Sequence, residues 1–132
     1  MLALRFFTPP LGITKFHLFD KEINSTARLA KAMAHPARIA IIRNILDENI
    51  CSCSELCKNI PLSLPTISQH LRVLESNGII VGWVDGRVKM YAINLILLEE
   101  FTEFVSVAQE RTVLNAHRNQ DNKRKRRNQV KA

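Results

Sequence analysis

Apolar residues recur at spacings of three and four through the first half of the chain, which predicts two consecutive helices. The first is expected over residues 19–34. His35-Pro36 should end it and begin the second, with His35 near the cap and Pro36 at the first helical position, and the second helix should reach about Asp47. The recurring residues are Ile23, Ala27, Ala30 and Ala34 in the first helix; those expected to be buried in the second are Ile39, Ile42 and Leu46, with Ile45 as a further candidate.

The next segment has the spacing of a capping box. Ser52 and Glu55 are three residues apart, so we expect a short helix that starts just after Ser52. Cys53 would then lie in its first turn, and Leu56 and Ile60 would point inward.

A further helix is predicted after a tight turn over residues 61–64. Ser63 can cap it, Pro65 is tolerated in its first turn, and Gly78 is expected to close it as a left-handed residue. Two helices joined in this way make a helix-turn-helix candidate.

Beyond Gly78 the hydrophobic period changes from about 3.6 to 2, and Asp85-Gly86 predicts a β-hairpin. The expected pairs are Val84 with Arg87, Trp83 with Val88, Val81 with Met90 and Ile79 with Ala92. This pairing places an apolar face against the domain and leaves a second face, formed by Arg87, Lys89 and Tyr91, outside.

A final helix is predicted from Leu95 to about His117, with an apolar stripe that a partner chain would explain. Residues 1–16 are expected to be an irregular extension, residues 17–118 the folded domain, and residues 119–132 a basic, disordered tail. The apolar positions of the stripe are Leu97, Leu98, Phe101, Phe104, Val105, Ala108 and Leu114.

The composition is that of a single globular domain: 132 residues, 46% hydrophobic and 23% charged. It excludes collagen-like, disordered and disulfide-dense proteins. Residues 121–132 hold six basic and one acidic residue, a net of +5, which leaves +2 of the total +7 for the rest of the chain. Because most of the basicity lies in this tail, net charge alone does not predict nucleic-acid binding.

No segment is apolar for the roughly 20 residues that a membrane-spanning helix needs. Pro9-Pro10 interrupt the apolar N-terminus, so we expect no signal peptide. These features predict no membrane association and a cytoplasmic location, where the thiols stay reduced.

The helix after Ser63 has one polar face. Ile67, Leu71 and Leu74 share the apolar side, whereas Gln69 and Arg72 point the opposite way. Gln and Arg can make bidentate contacts to base edges in the major groove, and cations on the hairpin can reach a phosphate. The candidate DNA-binding residues are Ser63, Thr66, Ser68, Gln69, His70, Arg72, Arg87 and Lys89. A solvated helix face would explain the helix alone, but not its combination with the turn and the basic hairpin.

Five runs form a recognisable series in order: Lys31-Ala-Met-Ala-His-Pro-Ala-Arg-Ile-Ala-Ile-Ile42, Ser54-Glu-Leu56, Leu64-Pro-Thr-Ile-Ser-Gln-His-Leu-Arg-Val-Leu74, Gly78-Ile-Ile80, and Asp85-Gly-Arg87 through Tyr91. This series resembles the ArsR/SmtB family of bacterial and archaeal winged-helix repressors over about residues 25–115. The resemblance implies a mainly α, winged helix-turn-helix fold with a small β-hairpin wing. It also implies a homodimer formed through the first and last helices, which binds an imperfect palindromic operator in double-stranded DNA and releases it on sensing a ligand.

By the same resemblance, Ser68, Gln69, His70 and Arg72 lie where family members touch DNA. The sequence departs from the family at His35, where Asp or Ser is usual, and in its extensions at both ends.

Three cysteines lie within seven residues, at Cys51, Cys53 and Cys57. Many family members sense metals or arsenite through a C-x-C next to the first helix of the helix-turn-helix. Here Ser54 separates the Cys51–Cys53 pair from Glu55-Leu56 and so shifts it by one residue. Cys57 matches the third thiol of the arsenite pattern. Three thiolates suit As(III) or a soft metal ion, and a first-turn position would lower a thiol pKa and favour oxidation sensing. A purely structural role for buried cysteines is the third alternative. No cofactor is otherwise required.

Other classes of function fit less well. His117 is the only histidine in the predicted final helix, so a zinc site of the family type is not expected there. An enzyme with a cysteine nucleophile would need a base and an oxyanion site, and no such motif is visible. A metal-binding or interaction module with a basic tail would leave the polar helix face unexplained. We therefore predict a DNA-binding transcriptional repressor, either effector-controlled or effector-independent.

Overall fold

Within residues 15–131, which the computed structural model describes, five α-helices alternate with a small three-stranded sheet. A 3-10 turn (Phe16–Leu18) is followed by α1 (Lys21–Met33), α2 (Pro36–Glu48), β1 (Cys51–Ser52), α3 (Cys53–Asn59), α4 (Leu64–Ser76), β2 (Ile80–Asp85), β3 (Val88–Ile93) and α5 (Leu95–Val130). The mainly α, winged helix-turn-helix fold predicted from the sequence is confirmed. The extension predicted over residues 1–16 lies, as far as residue 14, outside the described residues.

Local capping sets the starts of the first two helices. The Asp20 carboxylate accepts a hydrogen bond from the backbone N–H of Ile23 at 2.9 Å. His35 Nδ1 accepts one from the backbone N–H of Ala37 at 3.1 Å, directly before Pro36. The predicted boundary between the two helices is therefore confirmed.

The predicted capping box of α3 is present in full. Ser52 Oγ accepts from the Glu55 N–H at 3.2 Å, and the Ser52 N–H donates to Glu55 Oε2 at 2.6 Å. Leu56 and Ile60 are buried as expected. Gly78 follows α4 with φ of +74°, in the left-handed conformation that was predicted for it.

The core lies where α2, α3 and α4 meet the sheet. On α2 the large buried side chains are Ile41, Ile42 and Ile45, whereas Ile39 and Leu46 are 44% and 54% exposed. The prediction for Ile39 and Leu46 is therefore wrong, because α4 and β3 pack against the neighbouring side of the helix. The remaining buried apolar side chains are Leu29, Ala32, Ala37, Cys51, Leu56, Ile60, Ile67, Leu71, Leu74, Ile79, Ile80 and Tyr91.

The hairpin forms with a different register from the predicted one. Its two-residue turn is Gly86-Arg87, so Asp85 pairs with Val88 and the pairs farther along are Trp83 with Met90, Val81 with Ala92 and Ile80 with Ile93. β1 pairs with the outer side of β3, in the sheet order β1-β3-β2. Gly86 has φ of +64°, which suits the first loop position of a type II′ turn.

The hairpin also packs through the face opposite to the predicted one. Ile80 and Tyr91 are buried, whereas Val81, Trp83 and Val88 are 40–50% exposed. The predicted inward face is therefore wrong, because the side of the sheet that carries Ile80 and Tyr91 packs on the helices.

The last helix is much longer than predicted, since it continues past His117 to Val130. The tail expected to be disordered is helical, because no glycine or proline follows Gly86 to interrupt it. None of the described side chains of α5 is buried, and Phe104 and Leu114 are 55% and 61% exposed.

Between residues 15 and 131, no helix combines the length and apolarity needed to cross a membrane.

Candidate nucleic-acid interface

The helix α4 has one side in the core and one side in solvent. Ile67, Leu71 and Leu74 are at most 1% exposed, whereas Gln69 and Arg72 are both exposed. This is the division that the sequence predicts. The exposed face is the surface that α4 offers to a partner, and α4 is called the recognition helix below.

The N-terminus of the recognition helix differs in one detail from the expected cap. Ser63 occupies the cap position, but its side chain makes no hydrogen bond to a helix N–H. Its hydroxyl is instead 2.8 Å from the Thr66 hydroxyl, with which it shares a hydrogen bond. The predicted side-chain cap is therefore wrong, although two of the predicted site residues are brought together.

His70 lies at the edge of the recognition helix that faces α2. Its ring centroid is 4.5 Å from that of His35, and the side chain is half-buried. Burial lowers the pKa of His70, and the neighbouring His35 and Arg38 lower it further. Because the neutral ring packs against the start of α2, this residue couples the recognition helix to α2, whereas Gln69 and Arg72 stay open.

The other flank of the recognition helix is tied to the hairpin. Lys89 Nζ is 2.8 Å from Glu75 Oε2 and lies 5.3 Å from the centroid of the Tyr91 ring. The hydrogen bond with Glu75 raises the pKa of Lys89. Lys89 therefore points toward the domain, although it was predicted to lie on the outer cationic face of the hairpin. Arg87, at the exposed turn, remains the outward cation of the hairpin.

Two residues at this junction were missed in the sequence. Glu75 is 14 positions from Lys89, so no local spacing indicates the pair. Gly82 gives this pair room: a Cβ there would lie 2.7 Å from both Glu75 Oε1 and Lys89 Cε, so the two side chains would have to shift. A glycine inside a strand was the one available signal of such a close approach.

The three cysteines do not form a single set of ligands. Cys51 is 2% exposed, and its thiol donates a 3.7 Å hydrogen bond to the Asn44 carbonyl, whereas Cys53 and Cys57 are half-buried one turn apart on α3. In the described part of the chain, no three His, Cys, Asp or Glu side chains converge as a metal site would require.

The predicted lowering of a thiol pKa at the start of α3 is wrong. Burial raises the pKa of Cys53, and the nearby Cys57 thiol raises it further. Burial likewise raises the pKa of Cys51, with Glu55 and Glu48 adding to the effect. Desolvation and the neighbouring groups therefore favour the protonated form of both thiols.

Comparison with known proteins agrees with this geometry. A helix-turn-helix domain family model matches residues 33–82. The HTH-type transcriptional repressor SmtB of Mycobacterium tuberculosis is 32% identical over 69 residues, which are 52% of this chain and 50% of that protein. This chain therefore spans about half the length of that relative.

Solved structures align over more of their length. HlyU from Vibrio cholerae is 30% identical, with a TM-score of 0.54 over 58% of this chain and 82% of that one. A crystal structure of an ArsR family transcriptional regulator is 27% identical, with a TM-score of 0.58 over 67% of this chain and 90% of that one. The fold, the divided recognition helix and these relatives together show that the chain belongs to the ArsR/SmtB family of winged helix-turn-helix transcriptional regulators.

Proposed function

We propose that this protein is a sequence-specific DNA-binding repressor whose recognition helix enters the major groove. The observation that carries the proposal is the exposure of Gln69 and Arg72 on a helix whose opposite side is anchored in the core. Both side chains have donors that match base edges, and Arg87 at the hairpin turn suits a backbone phosphate. Because the relatives are transcriptional regulators, an enzyme with a cysteine nucleophile is set aside.

The active unit in this proposal is a homodimer on an imperfect palindrome. The apolar side chains of α5, among them Phe104 and Leu114, are exposed in the single chain. Apolar surface of this kind on a long helix favours association with a second copy. α1, which packs against α5, supplies the other part of the expected interface. A two-fold dimer would present two recognition helices to related half-sites.

Fluorescence anisotropy tests this function with DNA from upstream of the protein's own gene and a scrambled duplex of equal length. We expect tight binding to the first and weak, salt-dependent binding to the second. Arg72→Ala or Gln69→Ala should cost about 1–3 kcal/mol on the specific duplex and reduce base preference. Arg87→Ala should weaken binding to both duplexes and lower the salt slope by about one.

The opposite outcome would be equal affinity for the two duplexes. That result would favour a basic interaction module without base recognition and would refute the repressor. Unchanged affinity of the variants would refute the proposed docking of the recognition helix.

We also propose that As(III) or another soft ion is the effector and binds Cys53 and Cys57. The two thiols are one turn apart on α3, and the Cys53 thiol donates a 3.9 Å hydrogen bond to the carbonyl of Leu64, the first residue of the recognition helix. Arsenous acid would exchange two hydroxyl groups for the two sulfur atoms and release two water molecules. Loss of the Cys53 proton would remove its hydrogen bond to Leu64 and so link ion binding to the recognition helix.

The thiol-oxidation alternative is less favoured by the same residues. The raised pKa of Cys53 reduces the thiolate fraction, and the thiolate is the form that reacts with oxidants. A soft ion replaces the proton directly and stabilises the paired thiolates electrostatically.

Arsenite added to the complex of reduced protein and operator DNA tests the effector. We expect release of DNA by the native chain and no release for Cys53→Ser or Cys57→Ser. Cys51→Ala is the matched control, because the Cys51 thiol is buried and donates its hydrogen bond to the Asn44 carbonyl, and it should keep the response. Loss of the response in Cys51→Ala alone would refute the two-thiol site, and binding that arsenite leaves unchanged would refute this effector.

A further inference from the structure

A cleft with three basic side chains lies between α1, the start of α2 and the end of the recognition helix. It has a volume of about 770 Å³, and its lining includes Arg28, Lys31 and Arg38 on one side and, on the other, Val73 of the recognition helix and its C-cap residue Asn77. We propose that this cleft, called the basic cleft below, binds two neighbouring phosphate groups of one DNA strand beside the major groove. This inference rests on the proposed DNA-binding function.

Within residues 15–131, no acidic side chain forms an ion pair with the cations of the basic cleft. In the described residues, the ion pair within 4.0 Å is the one between Lys89 and Glu75, which lies on the other flank of the recognition helix. Arg38 donates a long 3.5 Å hydrogen bond to the Lys31 carbonyl, and its buried Nε has no hydrogen-bond partner among these residues. Three like charges that line one concave surface raise the local concentration of anions.

The position of the cleft selects the backbone of DNA as the anion. An α-helix in the major groove nearly fills its width of about 12 Å, so a phosphate backbone runs along each flank of the helix. Val73 and Glu75 are two residues apart on the recognition helix, so their side chains leave it about 200° apart. The Glu75–Lys89 pair joins one flank to the hairpin, whereas Val73 lines the basic cleft on the opposite flank.

This arrangement gives the recognition helix a backbone contact on both sides. Arg87 of the hairpin would approach one strand, and Arg28 and Lys31 would approach the other. Contacts of this kind fix the register of a protein on the duplex without selecting bases. The basic cleft therefore contributes affinity and orientation, while Gln69 and Arg72 contribute specificity.

Arg28→Ala/Lys31→Ala tests the inference, because both side chains are exposed and leave the core unchanged. Each neutralised phosphate contributes a slope of about −0.9 to the plot of log affinity against log salt, so the double variant should lose about 1.8 for every bound protomer. Between about 50 and 200 mM salt, the affinity ratio of native chain to variant should then shrink about 12-fold per protomer. The loss of affinity should be the same on operator and scrambled duplexes.

Two further variants complete the experiment. Arg43→Ala removes an exposed cation of α2 that lines a different cavity, next to Phe101, and it should leave the salt slope unchanged. Arg28→Lys/Lys31→Arg keeps both charges and should keep the native slope. Circular dichroism melts of all variants verify that each is folded.

The results separate this inference from the function on which it rests. Native protein without preference for the operator would overturn the proposed function. Native protein that prefers the operator, together with a double variant of unchanged slope, would overturn only the basic cleft. A loss of affinity confined to the operator would also overturn it, because a phosphate contact acts on every sequence.

Discussion

Two glycines with left-handed backbone conformations follow the recognition helix, and substituting each of them tests how tightly this segment is packed. Gly78 has φ of +74° and Gly86 has φ of +64°. A Cβ at Gly78 would lie 2.7 Å from Leu97 Cδ1, whereas one at Gly86 would meet nothing within 4 Å. We therefore expect Gly78→Ala to destabilise the protein more than Gly86→Ala.

The magnitude follows from two contributions. An L-residue in the left-handed conformation reduces the free energy of unfolding by roughly 1–2 kcal/mol, and both variants should show this reduction. Gly78→Ala must also displace the half-buried Leu97, and the cavity beside that side chain is only about 10 Å³. Overpacking of this kind typically costs about 1–3 kcal/mol. The expected totals are about 1–2 kcal/mol for Gly86→Ala and about 2–5 kcal/mol for Gly78→Ala.

Urea unfolding followed by circular dichroism measures both values, at one fixed protein concentration because the proposed dimer makes stability depend on it. The gain from a less flexible unfolded chain is common to the two variants and cancels in their difference. In a Leu97→Ala background, the cost of Gly78→Ala should fall to that of Gly86→Ala. Equal costs in the native background, or a larger cost for Gly86→Ala, would refute the packing argument.

Three further perturbations have expected outcomes. The lowered pKa of His70, caused by burial and then by His35, contributes stability that is complete above the unfolded-state pKa of about 6.5 and is lost as pH falls through the folded-state value. Thermal melts from about pH 8 to 5 should therefore show a smaller decrease in Tm for His70→Gln than for the native chain, and equal decreases would contradict this. Ser52→Ala should lower the free energy of unfolding by about 1 kcal/mol in urea, because it removes the capping box; no change would mean that the box is not stabilising. Glu75→Gln should cost less than about 1 kcal/mol in the same assay, because its pair with Lys89 is largely solvated; a much larger loss would contradict a surface pair.

The features that follow from neighbours in sequence were predicted well. The boundary at His35-Pro36, the Ser52–Glu55 box and the left-handed Gly78 all depend on interactions within a few residues. The division of the recognition helix was also predictable, because its apolar and polar residues separate cleanly at the helical period.

The hairpin shows where such reasoning fails. Both faces of its strands contain apolar residues, with Ile80 and Tyr91 on one and Val81, Trp83 and Val88 on the other. Alternation alone does not say which face packs on the helices. The turn at Gly86-Arg87 then shifted every expected pair, although the two residues of each predicted pair still belong to one face.

The sequence by itself determined where α1 to α4 lie, the caps at His35 and Ser52, the helix-turn-helix and the exposed side of the recognition helix, because backbone hydrogen bonding and hydrophobic period act over short distances. Only the tertiary structure decided which sheet face is buried, that Lys89 pairs with Glu75, that Cys51 is buried whereas Cys53 and Cys57 are half-buried, and that three cations of α1 and α2 line one cleft beside the recognition helix. These outcomes join residues that are distant in sequence. They depend on how preformed elements pack against one another, and no local pattern contains that information.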